Sequence, residues 1–224
     1  MKKFNSSIKE RLTGRHKYSF KFCGDVKGKE ILDVGSSYGW FEKFTIRAGC
    51  KSVVGIEPEE KLFYEAQKEV PGAMFKKGSA LYIPAKDQSF DLVVMFDVIE
   101  HIPKGTEMIA LKEIKRVLKP RGTLVMSTDF SFWLAKIMDP AWYFGHRHYN
   151  EKQLNRMLKK VGFKIEKIEK RGGFFEMISA ILLYIFKWIF RREVPFKKFL
   201  EQKRDEEYLI KKDGFMTIFV KAIC

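Results

Sequence analysis

The chain has 224 residues, 46% of them hydrophobic and 32% charged, a size and balance that fit one globular domain and exclude wholesale disorder. Its 43 basic and 28 acidic residues leave a formal charge of +15, which attracts polyanions, whether RNA, DNA or an anionic membrane face. Cys23, Cys50 and Cys224 are widely spaced with no Cys-x-x-Cys pair, so neither a disulfide framework nor a metal site is expected and a reducing cytoplasm is the default.

The amino terminus, Met1-Lys2-Lys3-Phe4-Asn5, leads into polar sequence with no apolar signal region. Lys29–Val34 reads as a buried strand ended by Gly35, and Phe41–Ala48 as a helix stopped at Gly49. Ser52–Ile56 is a second strand and Pro58–Val70 a charged helix closed by Pro71-Gly72, with Ala73–Lys77 a short strand. Phe90–Phe96 is the clearest buried strand. Thr106–Leu118 carries Met108, Ile109, Leu111, Ile114, Val117 and Leu118 at helical spacing and ends at Lys119-Pro120-Arg121-Gly122. Thr123–Ser127 is the next strand. Asn150–Val161 reads as a helix capped by Asn150 and followed by Gly162. Phe163–Lys170 and Phe215–Ile223 have the pattern of two late strands, suited to an antiparallel pair at one sheet edge. Between them lies a long insertion. Alternating strands and helices of these lengths predict a mostly parallel sheet covered on both faces.

Ile31-Leu32-Asp33-Val34-Gly35-Ser36-Ser37-Tyr38-Gly39 runs from strand through a glycine turn into a helix, and Glu57 stands directly after the second strand. Acids in that place bind ribose hydroxyls in dinucleotide folds, but the glycine spacing departs from the pattern that seats a pyrophosphate. Glu30–Phe41 resembles motif I of the class I S-adenosylmethionine (SAM)-dependent methyltransferases, and Gly55-Ile56-Glu57-Pro58 their acidic second motif. Gly78-Ser79-Ala80 falls where their adenine loop belongs, with Ser79 where Asp is common. Phe90 to His101 is similar to the fourth motif of the ubiquinone and menaquinone biosynthesis-type subgroup. Arg116 to Leu124 resembles its Leu-Lys-Pro-Gly-Gly turn, with Arg121 replacing a glycine. The resemblance is strong from about Lys29 to Asp129, looser from His146 to Lys167 and absent between Gly172 and Asp213.

It implies a Rossmann-like α/β fold with a mostly parallel seven-stranded sheet, an antiparallel edge and helices on both faces. The expected unit is one domain over 1–224 with an apolar helical insertion at about 173–213. SAM is the implied cofactor; having a ribose but no phosphate, it agrees with the glycine spacing. Asp33, Gly35, Ser36, Ser37, Gly39 and Trp40 would surround its methionine part and Glu57, with Pro58, its ribose. Gly78, Ser79 and Ala80 would take the adenine side, and Phe96 and Asp97 the floor near the sulfonium.

An acceptor that loses a proton benefits from a nearby base, and a neutral imidazole suits that near pH 7. His101 is one candidate, with hydrogen bonding to backbone as its structural alternative. His146 and His148 are two more, with Arg147 and Tyr149 beside them as candidate substrate contacts, Arg147 being equally suited to an anionic substrate or a structural carboxylate. The Asp/Asn-Pro-Pro-Tyr/Phe motif of amino-group nucleic-acid methyltransferases is missing, and no cysteine sits in the fourth motif. Oxygen, small-molecule nitrogen and activated carbon remain as acceptors.

Phe174–Phe190 is apolar and aromatic around most of a helix, broken by a stripe of Glu176, Ser179, Ala180, Leu183 and Lys187 and followed by Arg191-Arg192. At 17 residues it falls short of the ~20 that span a bilayer. The pattern suits an interfacial helix or a lid over a lipid-like substrate, against the alternatives of a core helix or a dimer interface. A second apolar patch, Phe130–Phe144 with Trp133, Trp142 and Tyr143, would join it, and Lys197–Asp213 reads as a solvated charged helix. These features predict a cytoplasmic methyltransferase, peripheral to the membrane, acting on a small or lipid-linked acceptor. An RNA methyltransferase and a non-catalytic SAM-binding protein stand as the alternatives.

Overall fold

The computed structural model describes residues 12–131, 146–210 and 213–224. Residues 132–144 of the second apolar patch, with Trp133, Trp142 and Tyr143, fall outside them. Seven strands form one sheet: β1 Glu30–Val34, β2 Ser52–Glu57, β3 Met74–Lys77, β4 Phe90–Phe96, β5 Leu118–Asp129, β6 Lys164–Arg171 and β7 Thr217–Ile223. Their order is β3-β2-β1-β4-β5-β7-β6. The pairs from β3 to β5 are parallel, and β7 runs antiparallel to both β5 and β6. The late strands are thus an antiparallel pair at one edge, as their alternation predicts. Only β7 is reversed, and it is inserted between β5 and β6.

Side chains along the central strands alternate between two cores, as a period of two requires. Leu32, Val93, Met95, Leu124 and Val220 enter one core. There they meet Ala110, Leu111 and Ile114 of helix α4 (Glu107–Val117) and Leu154 and Leu158 of α5 (Glu151–Val161). Ile31, Leu92, Val94, Val125 and Phe219 enter the other. It is covered by Tyr18 and Phe22 of α1 (Gly14–Cys23), Phe41 of α2 (Trp40–Arg47) and Tyr208 of α7 (Lys197–Leu209). Helix α3 (Glu60–Glu69) brings Ala66, followed by Val70, against Phe75 of β3. Burial on both faces explains why β4 reads as a continuous apolar run.

Helix α5 has the expected ends: Asn150 and Gln153 cap each other reciprocally, and Gly162 closes it at φ +88°. Strand β5 begins earlier than expected, directly after α4, with an irregular register against β4 between Phe90 and Leu92. Arg121 sits there at φ +63°, in the left-handed region where a glycine carries no steric cost.

The sequence reading overlooked α1, whose Tyr18 and Phe22 at i, i+4 spacing were its signal. The insertion helix is also subdivided. It is α-helical as α6 (Phe174–Tyr184) and π-helical over Ile185–Phe190. Its polar stripe turns partly inward: Ser179 is buried, and Glu176 accepts hydrogen bonds from Arg204 of α7. Helix α7 is therefore not simply a solvated charged helix. Its Glu207 is buried and accepts the backbone N–H groups of Gly173, Phe175 and Glu176, each at 3.0 Å. That carboxylate satisfies the unpaired donors at the α6 amino terminus.

Candidate functional site

The loops at the carboxyl ends of β1, β2 and β4 converge as the parallel topology requires. After β1, the N–H groups of Gly35 and Ser36 both donate to the carbonyl of Ile56 on β2, at 2.8 and 3.0 Å. Gly35 takes φ +85°, and a Cβ there would overlap Val98 in the loop after β4. The close approach of the two loops requires glycine. Ser37 is also left-handed, at φ +48°, and Gly39 opens α2 at φ +82°. Glu57 accepts the N–H of Ser37 at 2.8 Å and of Glu59 at 2.9 Å, so its carboxylate ties the β1 and β2 loops together. Pro58 beside it is exposed. A Cβ on Gly78 would lie 2.8 Å from Pro84. Ser79 pairs backbone to backbone with Tyr82 and accepts the Leu81 N–H on its hydroxyl, while the Ala80 side chain enters the core.

Beneath the first loop are three carboxyls, Asp33, Glu42 and Glu57, all buried. Burial first, and Glu57 second, push Asp33 up to about 8. Burial and then Asp33 push Glu42 well above the usual carboxylate range, and neither of its oxygens has a hydrogen-bond partner among the described residues. Glu42 was not among the residues the sequence reading selected, because it sits on a helix behind the motif rather than within it. The Ser36 hydroxyl is likewise buried without a partner. Buried carboxyls and an unsatisfied hydroxyl beside a glycine turn fit a ligand that brings positive charge and polar groups, as the methionine end of SAM does.

The other side of the site is aromatic and charged. Trp40 packs on His16 with ring centroids 4.6 Å apart and on Phe96 at 5.9 Å. Burial, then the charge of Arg15, lower His16 to about 4, so it is neutral near pH 7. Asp97, at φ +56°, accepts the Ser127 hydroxyl at 2.7 Å and is held by the guanidinium of Arg15, which also lies 3.4 Å from Asp129. Burial opposes the Arg15 charge, but Asp97 and its neighbours outweigh it and hold the group protonated. Arg15 comes from the unanticipated α1, so nothing near the motifs marked it.

The three candidate histidines lie together. His101 Nε2 and His146 Nε2 are 3.3 Å apart, and the rings of His146 and His148 are 6.1 Å apart. Burial and then His146 lower the His101 pKa, which favours the neutral ring a base requires. His148 Nδ1 lies 3.3 Å from the Phe130 carbonyl. Arg147 is occupied internally. It donates to Glu107 and to the carbonyls of Ile99 (2.7 Å) and Ile102. Tyr149 is buried, its hydroxyl donating to Glu107 at 3.2 Å. Both side chains thus fasten the loop after β4; for Arg147 this is the pairing with a structural carboxylate that stood beside its substrate reading, and for Tyr149 it is a use the substrate-contact reading did not include. Glu100 and Asp129 complete the cluster, and burial is the first cause raising both.

Residues 32–126 match a family model described as a methyltransferase domain. A protein of Mycolicibacterium smegmatis described as "Probable S-adenosylmethionine-dependent methyltransferase" is 28% identical over 140 residues, 62% of this chain and 53% of its own. An uncharacterized methyltransferase of Mycobacterium tuberculosis is 34% identical over 113 residues, 48% of this chain and 41% of its own. The chain thus spans about half the length of these curated relatives. A SAM-dependent methyltransferase structure from Mesorhizobium loti superposes with a TM-score of 0.66 at 18% identity, covering 94% of this chain and 98% of that one. The SpnF cyclase gives 0.67 at 18% identity over 95% and 85%. SAM, the cofactor implied by the motifs, is the one named for the mycolicibacterial relative and the Mesorhizobium structure. The segment 32–126 is therefore a methyltransferase domain, and the sheet that carries it has the fold of the class I SAM-dependent methyltransferases.

Proposed function

We infer that this chain moves a methyl group from SAM to an oxygen, nitrogen or carbon of a small or lipid-linked acceptor and meets that acceptor at an anionic membrane surface. SAM supplies an activated methyl on a sulfonium, so the protein's work is alignment and, for a protic acceptor, proton removal. Asp33, Gly35, Ser36, Ser37, Gly39 and Trp40 would hold the methionine part, Glu57 and Pro58 the ribose, and Gly78 to Ala80 the adenine side. Phe96 and Asp97 would form the floor, with Asp97 positioned by Arg15 and Ser127. His101, His146 and His148 are the candidate bases.

The observation that carries the lipid reading is the uneven cover of the insertion. Phe174, Leu183, Ile189 and Phe190 are exposed, as are Phe196, Phe199 and Ile210 nearby, with Phe196 at 82%. Arg191, Arg192, Lys197 and Lys198 are interleaved in the same stretch. No helix among the described residues is long and apolar enough to cross a membrane. Aromatics flanked by bases favour an interfacial position.

The alternative acceptor class is RNA, favoured by the charge of +15. The SpnF cyclase shares the fold, so a chemistry other than methyl transfer stands as the third reading. The test is transfer of labelled methyl from SAM into fractionated cell extract, counting lipid, RNA, protein and small-molecule pools. Label in lipid or small molecules supports the proposal. Label confined to RNA replaces it with the alternative, and SAM binding with no transfer into any pool overturns methyl transfer.

A further inference from the structure

Past the ends of β4 and β5, Glu100, His101, Asp129 and His146 meet in one cluster. The contact between His101 Nε2 and His146 Nε2, at 3.3 Å, brings two imidazole nitrogens face to face. Two lone pairs do not face each other at that distance. Either one nitrogen carries a proton, or a cation belongs between them. Zinc–nitrogen bonds of about 2.05 Å at the tetrahedral angle place two nitrogens about 3.3 Å apart. The observed separation matches that geometry.

The second observation is on the far side of the His146 ring. Its Nδ1 lies 3.2 Å from Asp129 Oδ2. The Asp129 charge beside Nδ1 favours the tautomer protonated there and leaves the Nε2 lone pair for a cation, although the contact lacks the alignment of a hydrogen bond. The third is Glu100, only 3% exposed, whose carboxylate oxygen lies with the two histidine nitrogens inside a 4.8 Å set. Thr128 donates to it at 2.9 Å, and among the described residues no lysine or arginine forms an ion pair with it.

We propose that Glu100, His101 and His146 bind one divalent first-row transition cation, with zinc the best match, and that Asp129 positions His146. Mixed imidazole and carboxylate donors favour such ions over magnesium or calcium. Three protein ligands leave a position open, and His101 is solvent-exposed, so that position is reachable. On the reading that this chain transfers methyl groups, an acceptor hydroxyl entering the open position loses its proton to solvent near neutral pH. Its oxygen then forms the bond to the methyl carbon as the carbon–sulfur bond breaks, and the electron pair stays on sulfur. Cation binding itself does not depend on that reading.

The cysteine spacing gives no sign of this site, because its ligands come from two segments 45 residues apart. His146 also lies in a second cluster with Asp129 and His148, so the ligand set needs separating. The whole chain is stripped with a chelator and titrated with zinc by calorimetry and with cobalt by visible absorption. One ion per chain is expected, with the intense cobalt bands of a four-coordinate site. His101→Gln and His146→Gln should each weaken binding at least 100-fold, Asp129→Asn about 10-fold, and His148→Gln should leave it unchanged. Circular dichroism confirms that each variant is folded. Substoichiometric binding by the unaltered chain, or unchanged affinity in both His101→Gln and His146→Gln, overturns the site. Loss with His148→Gln but not His101→Gln overturns this ligand set in favour of the second cluster.

Discussion

Asp33 and Glu42 show how a ligand site stores a cost that its ligand relieves. Asp33 is raised to about 8 by burial and then by Glu57, and Glu42 is raised further. A carboxyl whose folded pKa exceeds its unfolded value contributes stability in full below about pH 4, and that contribution is lost as pH rises through the folded value. The unliganded chain should therefore lose stability between about pH 4 and 8, and SAM, bringing positive charge, should raise the melting temperature more at pH 8 than at pH 5. Scanning calorimetry with and without SAM measures this, and an equal SAM increment at both values would contradict the proposed role of the carboxyls. Glu42→Gln removes a titrating proton without removing a hydrogen bond, so it should flatten that pH dependence and stabilise the chain above pH 7 by roughly 1 kcal/mol. Glu57→Ala should weaken SAM binding through two losses. One is the proposed ribose contact, and the other is the pair of N–H bonds that ties the Ser37 and Glu59 loops together. Calorimetric titration on a variant with unchanged circular dichroism checks this, and unchanged affinity would remove Glu57 from the site.

At the scale of elements, the insertion depends on its neighbours. Helix α6 begins on the Glu207 carboxylate of α7, with no side-chain cap of its own. Glu207→Ala should cost about 2–3 kcal/mol by leaving buried N–H groups unpaired, with exchange protection lost first at Phe175 and Glu176. Hydrogen exchange read residue by residue would show whether the loss is confined to α6. Helix α1 depends on a small residue instead. The Gly14 N–H donates to Asp205 at 2.6 Å, and a Cβ on Gly14 would lie 2.5 Å from the Asp205 Cα. Gly14→Ala should push α1 away from α7, cost about 1–3 kcal/mol by overpacking and loosen the hold of Arg15 on Asp97. Urea denaturation gives the first quantity, and SAM affinity reports the second. The sequence pattern showed α6 as an apolar helix, since periodicity is local. It did not show that α7 supplies the cap, because Glu207 is one acid in a densely charged stretch until the fold places it.

For the whole molecule, the issue is where a charge of +15 acts. Exposed aromatics and bases lie together in the insertion and the segment after it, so attraction to anionic vesicles should exceed attraction to neutral ones and weaken as salt rises. Replacing Ile189, Phe190 and Phe196 by serine changes only exposed side chains and should lower sedimentation with anionic vesicles about 10-fold or more while leaving SAM affinity unchanged. Equal sedimentation of this variant would transfer the role of the insertion from membrane contact to packing.

The seven strands, most of the helices and the positions of Gly35, Glu57, Gly78 and Asp97 at strand ends were legible in the sequence, because burial alternating at two or 3.6 residues is a local signature. The family resemblance added a ligand to those strand ends. Only the tertiary structure placed β7 between β5 and β6 and brought Arg15 onto Asp97, His146 onto His101 and Glu207 onto the start of α6. Those partners are 82, 45 and 34 residues apart, respectively. No local periodicity links residues so distant, so which charge meets which ring is settled by how the helices pack across the sheet.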